Sequence, residues 1–149
     1  MSAALAVDED VVRAIVQQVW ESLLQAAPVP WFGDAPAHGP SVAAEVTLAG
    51  DWNGAVRMSC DATTAERLAG TMLGTADEPL PQEDVHDAVG EIVNVIGGNV
   101  KGSLEGSTSL GLPTVDVGSL VPPAEPVSRC VLDWHGAPVT VEVLAGDLA

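Results

Sequence analysis

The sequence predicts an α+β fold in which helices pack on a mostly antiparallel sheet. Three observations carry that expectation. Two pairs of strand-like segments are each joined by a short turn, the first at an Asn-Gly signal and the second between segments that alternate with period 2, which is the pattern of a β-hairpin. Three other segments repeat their apolar residues at helical spacing. The order in the chain is helix, hairpin, two helices, then three strands, which suits a layer of helices against one sheet.

The first helix is predicted from Asp8 to Gln25, because Val12, Ile15, Val16, Val19, Leu23 and Leu24 fall on one face. Asp8 and Asp10 suit its N-terminal end through capping and the helix dipole. Residues 26–41 hold Pro28, Pro30, Pro36 and Pro40 with Gly33 and Gly39, and read as a loop or extended connector. Trp31 and Phe32 inside it are expected to cover an edge of the core, with a contact surface as the alternative. Strands are predicted at Val42–Leu48 and Ala55–Ser59, with the Asn53-Gly54 hairpin signal between them. A short helix follows from Thr63 to Leu73, turning Ala65, Leu68, Ala69 and Met72 inward and stopping at Gly74. An acidic, proline-bearing loop, Thr75–Gln82, leads to a long helix at Asp84–Glu105.

Beyond Gly106 the chain reads as strand. Leu110–Val117 is one candidate, and Val121–Pro126 breaks the pattern. Val127–Trp134 and Val139–Leu144 form the second hairpin around His135-Gly136-Ala137-Pro138. Five strands that close no barrel leave open edges. Val139–Leu144 carries one acidic residue, Glu142, and no lysine, so it would be poorly defended at an edge.

A chain of 149 residues is expected to form one domain, 1–149, with a proper core. Hydrophobic residues make up 47% and aromatic ones 3%, so the core is aliphatic. A net charge of -16 argues against nucleic acid or an anionic membrane surface as partner. No apolar run approaches a membrane span, and the N-terminus lacks the basic region of a signal peptide. Cys60 and Cys130, without CxxC spacing, read as buried free thiols in a reducing cytoplasm. His38, His86 and His135 belong to no ligand cluster, so no metal site is expected. Gly97-Gly98 follows no strand and is no phosphate loop.

The long helix is the unusual element. At about 100° per residue, Val85, Val89, Ile92, Ile96, Val100 and Ser103 fall on one side, an ordinary core face. Asp87, Glu91, Asn94, Gly98 and Lys101 fall in a stripe about 80° wide on the other. That stripe sets a carboxylate, a carboxylate, an amide and a glycine in a row. Gly90, Gly97, Gly98 and Gly102 each cost the helix roughly 1 kcal/mol relative to alanine, which calls for a packing or binding reason. Gly98 leaves a flat spot where another molecule could approach the backbone. Asn94 can orient a water but cannot exchange a proton at neutral pH, and Glu91 and Asp87 can pair with a cation. The face has no nucleophile, so it is suited to completing another protein's site rather than forming its own.

The run Asp87-Ala88-Val89-Gly90-Glu91-Ile92-Val93-Asn94 resembles the active-site motif of the CheC/CheX/FliY chemotaxis phosphatases: Asp or Ser, three residues, Glu, two residues, Asn. Met72-Leu73-Gly74 before it and Leu110-Gly111-Leu112-Pro113-Thr114-Val115 after it fit the same family. The resemblance covers Val11–Leu144. The motif occurs once, and the first helix carries no second copy, so the single-site, CheX-like branch fits best.

The resemblance implies a phosphatase for the aspartyl-phosphate of a response regulator of the CheY type. Glu91 would pair with the regulator's active-site lysine, and Asn94 would hold the attacking water in line. Asp87 and Gly98 would support them. The regulator would hold the Mg²⁺, leaving this chain with no cofactor of its own. The family also implies a homodimer, joined here through sheet edges. Two other classes stand beside this reading: a binding module that docks on a receiver domain without turnover, and a structural homo-oligomer with no phosphorylated partner.

Overall fold

The computed structural model describes residues 8–33, 41–75, 78–118 and 125–146. His38 and residues 121–124 of the expected break lie outside them. The first helix, α1, spans Glu9–Val19 and runs on as a π-helical turn over Trp20–Leu24. The Asp8 carboxylate caps it by accepting from the Val11 N–H at 2.9 Å. Gln25, with φ 54°, ends it in the left-handed region. A two-residue strand, β1 (Val29–Pro30), follows. Then come β2 (Val42–Gly50), β3 (Gly54–Cys60), α2 (Ala62–Leu73) and α3 (Gln82–Ser103). The chain closes with β4 (Thr108–Leu110), β5 (Thr114–Val117), β6 (Ser128–Trp134) and β7 (Ala137–Ala145).

Three helices and seven antiparallel strands are thus described, and all the strands join one sheet. The strand order is β1-β6-β7-β3-β2, with β4 and β5 both pairing along the far side of β2. The single strand expected over Leu110–Val117 is two short ones, because Gly111-Leu112-Pro113 leaves the ladder between them. Pro113 has no N–H to donate there. The second hairpin is central rather than marginal: β7 lies between β6 and β3. Val139–Leu144 is therefore an interior strand, and its lack of lysine needs no edge defence.

The helices cover one face of the sheet. Val42, Ala44, Val46 and Leu48 of β2, Val56 and Met58 of β3, and Val139, Val141 and Val143 of β7 point into that layer and are buried. Val12, Val16, Leu68, Val89, Ile92 and Ile96 meet them from the helices. Burial of each such side chain is worth about 1.5–3 kcal/mol relative to exposure. Trp20 and Trp134 pack edge to face at 6.1 Å between centroids. Register lines up Glu45, Arg57, Glu142 and Arg129 in one row of alternating charge across the opposite face. Arg129 donates twice to the buried Glu142 carboxylate, at 2.9 and 3.1 Å.

The connector before β2 divides the two aromatic residues expected to pack. Trp31 is half-buried, and its N–H donates to the Val131 carbonyl at 3.2 Å. Phe32 is 89% exposed, so it covers no core edge.

Candidate functional site

The long helix α3 begins just after Pro81, two residues earlier than expected, since proline at a helix start leaves no donor unsatisfied. It lies over β2 and also touches α1, α2, β3, β4 and β5. Its apolar side is fixed by that packing: Val85, Val89, Ile92, Ile96 and Val100 are all buried. The opposite side is thereby forced outward. Asp87, Glu91, Gly98 and Lys101 are exposed, and Asn94 is half-buried. The structure thus brings the predicted residues into one stripe, as the periodicity requires.

The side chains of Asp87, Glu91 and Asn94 make no hydrogen bond or ion pair among the described residues. They hold no neighbour in place. The nearby histidine is occupied locally: His86 Nε2 lies 2.8 Å from Gln82 Nε2, one turn back. No group of three His, Cys, Asp or Glu residues among those described could hold a metal ion. A cleft of about 350 Å³, lined by Glu9, Arg129 and the segment between Glu125 and Ser128, contains none of the predicted site residues. The stripe itself is a convex helix surface.

The four helix glycines divide into two kinds. A side-chain carbon on Gly97 would lie 2.5 Å from Val46 Cγ1 and 3.1 Å from Leu110 Cδ1. Gly97 therefore lets the helix press onto β2 and β4. At Gly90 the same carbon would meet Pro113 at 3.7 Å and Val115 at 3.9 Å, ordinary contact with the β4–β5 connection. Gly98 and Gly102 would meet nothing within 4 Å. Internal packing accounts for Gly97 alone and touches Gly90; it gives no reason for Gly98 or Gly102.

The connection beside the helix was not expected to lie along the stripe. Gly111 N–H donates to the Thr47 carbonyl at 2.8 Å, and Pro113 rests on Gly90, so the loop is anchored at both ends. Between them Leu112 is 88% exposed. The signal available in the sequence was the pair Gly90 and Gly97, which mark where another segment comes close to the helix.

Residues 42–132, which include the whole stripe, match the family model of the chemotaxis phosphatase CheX. The chain belongs to the CheX family. No protein with a curated description matches it. Among solved structures, the chemotaxis protein CheX from Vibrio vulnificus is 21% identical, with 97% of this chain and 98% of that chain covered and a TM-score of 0.72. CheX in the CheX–CheY–BeF3–Mg²⁺ complex from Borrelia burgdorferi is 16% identical, covering 95% and 99%, with a TM-score of 0.74. FliY from Thermotoga maritima is 16% identical, covering 92% and 85%, with a TM-score of 0.62. At these identities the likeness is one of fold: helices on a seven-stranded antiparallel sheet. No helix among the described residues is long and apolar enough to cross a membrane.

Proposed function

We propose that this CheX-family chain accelerates hydrolysis of the aspartyl-phosphate of a CheY-type response regulator in the cytoplasm. The observation that carries the reading is the unpartnered trio on α3: the side chains of Asp87, Glu91 and Asn94 stand in one outward stripe with no hydrogen bond or ion pair among the described residues. The family supports it, and so does the relative described in complex with CheY and BeF3. A convex stripe without a nucleophile or metal cluster works by entering a partner's site.

Each residue then has one task. Glu91 forms an ion pair with a lysine of the receiver domain, which seats the helix. The Asn94 side chain enters the phosphorylated site, where its amide oxygen accepts a hydrogen bond from a water and holds it in line with the phosphorus. This is positioning catalysis, comparable with the glutamine that orients water in GTPases. The Mg²⁺ belongs to the receiver domain. Asp87, one turn before Glu91, supports the carboxylate field, and Gly98 keeps the adjoining surface flat.

The test is single-turnover decay of a CheY-type receiver phosphorylated with acetyl phosphate. Asn94→Ala abolishes the acceleration while binding stays near wild type, because an oriented water counts in the transition state and little in the ground state. Full turnover by Asn94→Ala would remove the positioning role, and binding of the phosphorylated receiver without turnover by the wild type would make the chain a docking module.

The reading includes a homodimer. Since β7 is interior, the seam cannot be Val139–Leu144 and must use an outer strand of the sheet. β1 pairs with Leu132 and Asp133 of β6, and the Trp31 N–H just beyond it reaches the Val131 carbonyl. Val29 and Phe32 are exposed beside that edge, so the seam is assigned there.

A further inference from the structure

The β4–β5 connection lies along one particular side of the acid–amide stripe. Gly90 and Gly97 come four residues before and three after Asn94. At about 100° per residue both fall on the same side of it, some 40–60° round the helix. Pro113 packs at Gly90 and Leu110 at Gly97, so the intervening residues pass beside Asn94. Gly111 holds the loop close to β2, because a side-chain carbon there would lie 2.6 Å from Thr47 Oγ1. Leu112 is then held at the tip of an anchored loop with 88% of its surface in water. A single exposed leucine is ordinary on a loose surface. Here the loop is tied down on both sides and the leucine still faces outward, next to the residues proposed to meet a partner.

We infer that Leu112 is a docking residue for the receiver domain, an apolar contact that seats beside Asn94 when α3 enters the phosphorylated site. This rests on the proposed function. Glu91 gives the contact charge and Asn94 gives it chemistry, but both are polar and lose hydration on binding. Central apolar contacts that exclude water supply much of the affinity in such interfaces. Leu112 is an exposed large apolar side chain on the connection that runs from Gly97 to Gly90 on that side of the helix. Gly98 and Gly102, open on the other flank, complete a surface with a shoulder on one side of the stripe and a shallow floor on the other. The occupant is the same receiver domain, since the shoulder and the stripe are continuous.

The experiment measures Kd for a CheY-type receiver loaded with beryllofluoride and Mg²⁺, together with KM and kcat for the same receiver phosphorylated with acetyl phosphate. Leu112→Asp raises Kd and KM by about tenfold or more, the loss expected when a buried leucine is replaced. Its kcat at saturation stays near wild type, because Leu112 touches no reacting atom. Leu112→Met keeps Kd near wild type, and the thermal midpoints of both Leu112 variants are unchanged, since the side chain is 88% exposed in the free chain. Unchanged Kd and KM in Leu112→Asp, with turnover abolished by Asn94→Ala in the same assay, would overturn the assignment of Leu112 and leave the proposed function standing. Failure of the wild-type chain to accelerate any CheY-type receiver would overturn both.

Discussion

Gly97 sits so close to β2 that a side-chain carbon added to it would lie 2.5 Å from Val46 Cγ1. Its neighbour Gly98 faces open space, with nothing within 4 Å. Two adjacent residues of one type thus have opposite reasons to be glycine. Val46 is β-branched, fully buried and in a strand, so it has little freedom to move aside.

The first prediction follows from that contrast. Gly97→Ala lowers stability by about 1–3 kcal/mol through overpacking against Val46. Gly98→Ala raises it by about 0.5–1 kcal/mol, because alanine loses less backbone freedom in a helix. Thermal melts of the two variants separate them directly. Gly98→Leu folds as well as wild type yet slows turnover of a phosphorylated receiver, since the flat surface beside Asn94 is filled. A Gly98→Leu variant with wild-type turnover would remove Gly98 from the site.

The second prediction separates the two carboxylates. Removing one partner of a charge pair buried in an interface typically costs about 2–5 kcal/mol. Glu91→Ala therefore weakens binding of the receiver–beryllofluoride complex by an amount in that range. Asp87→Ala weakens it far less, because Asp87 supports the field without forming the pair. Titration of both variants at one ionic strength checks this. Equal affinity for Glu91→Ala and wild type would end the lysine-pairing role.

A third prediction concerns the thiols. Cys60 lies buried on β3, and burial first, then the charge of Asp61, pushes its pKa from 9.0 to about 12. Burial also raises Cys130, against the opposing pull of Arg13. A group that stays neutral longer in the folded chain favours folding only until the unfolded thiol ionises. The contribution of Cys60 is present below pH 9 and is lost as pH rises from 9 toward about 12, at roughly 1.4 kcal/mol per pH unit. Stability measured by denaturant between pH 8 and 11 falls accordingly, and Cys60→Ala flattens the fall. At neutral pH a thiol reagent labels neither cysteine until the chain unfolds.

Much of this was legible in the residues. Periodicity alone turned Val89, Ile92 and Ile96 inward and Asp87, Glu91 and Asn94 outward, because a long helix on a sheet has only one way to bury an apolar stripe. Both hairpins were readable for the same reason. The order of strands was not, because strand pairing is set by contacts distant in sequence: nothing local in Val139–Leu144 says that β3 will lie against it. Its lack of any lysine was the hint, since interior strands need no charged defence. The packing expected of Phe32 failed because hydrophobicity predicts burial only on average, and 89% of the residue is exposed. Leu112 was part of a recognised run, but that it stands out beside Asn94 depends on where Gly90 and Gly97 let the loop lie.

The last prediction is the dimer. With β7 interior, the strand ladder ends at β1, which is two residues long and leaves the rest of the outer side of β6 without a strand partner among the described residues. Val29 is 54% exposed and Phe32 is 89% exposed beside it. An open edge flanked by apolar side chains favours pairing with a second copy. The opposing force is charge, since two chains at -16 bring together 2 × 16 = 32 negative charges. Screening limits that repulsion to about 8 Å at physiological salt and extends it to about 30 Å at 0.01 M. Short-range strand pairing therefore wins at physiological salt and loosens as salt is removed. Light scattering coupled to size exclusion at micromolar concentration gives a dimer mass at physiological salt and a lower average mass at low salt. Phe32→Asp shifts the physiological sample toward monomer while leaving the melting temperature unchanged, because Phe32 is 89% exposed in the single chain. A monomer mass for the wild type at both salts would sink the dimer, and a dimer untouched by Phe32→Asp would move its seam away from β1 and β6.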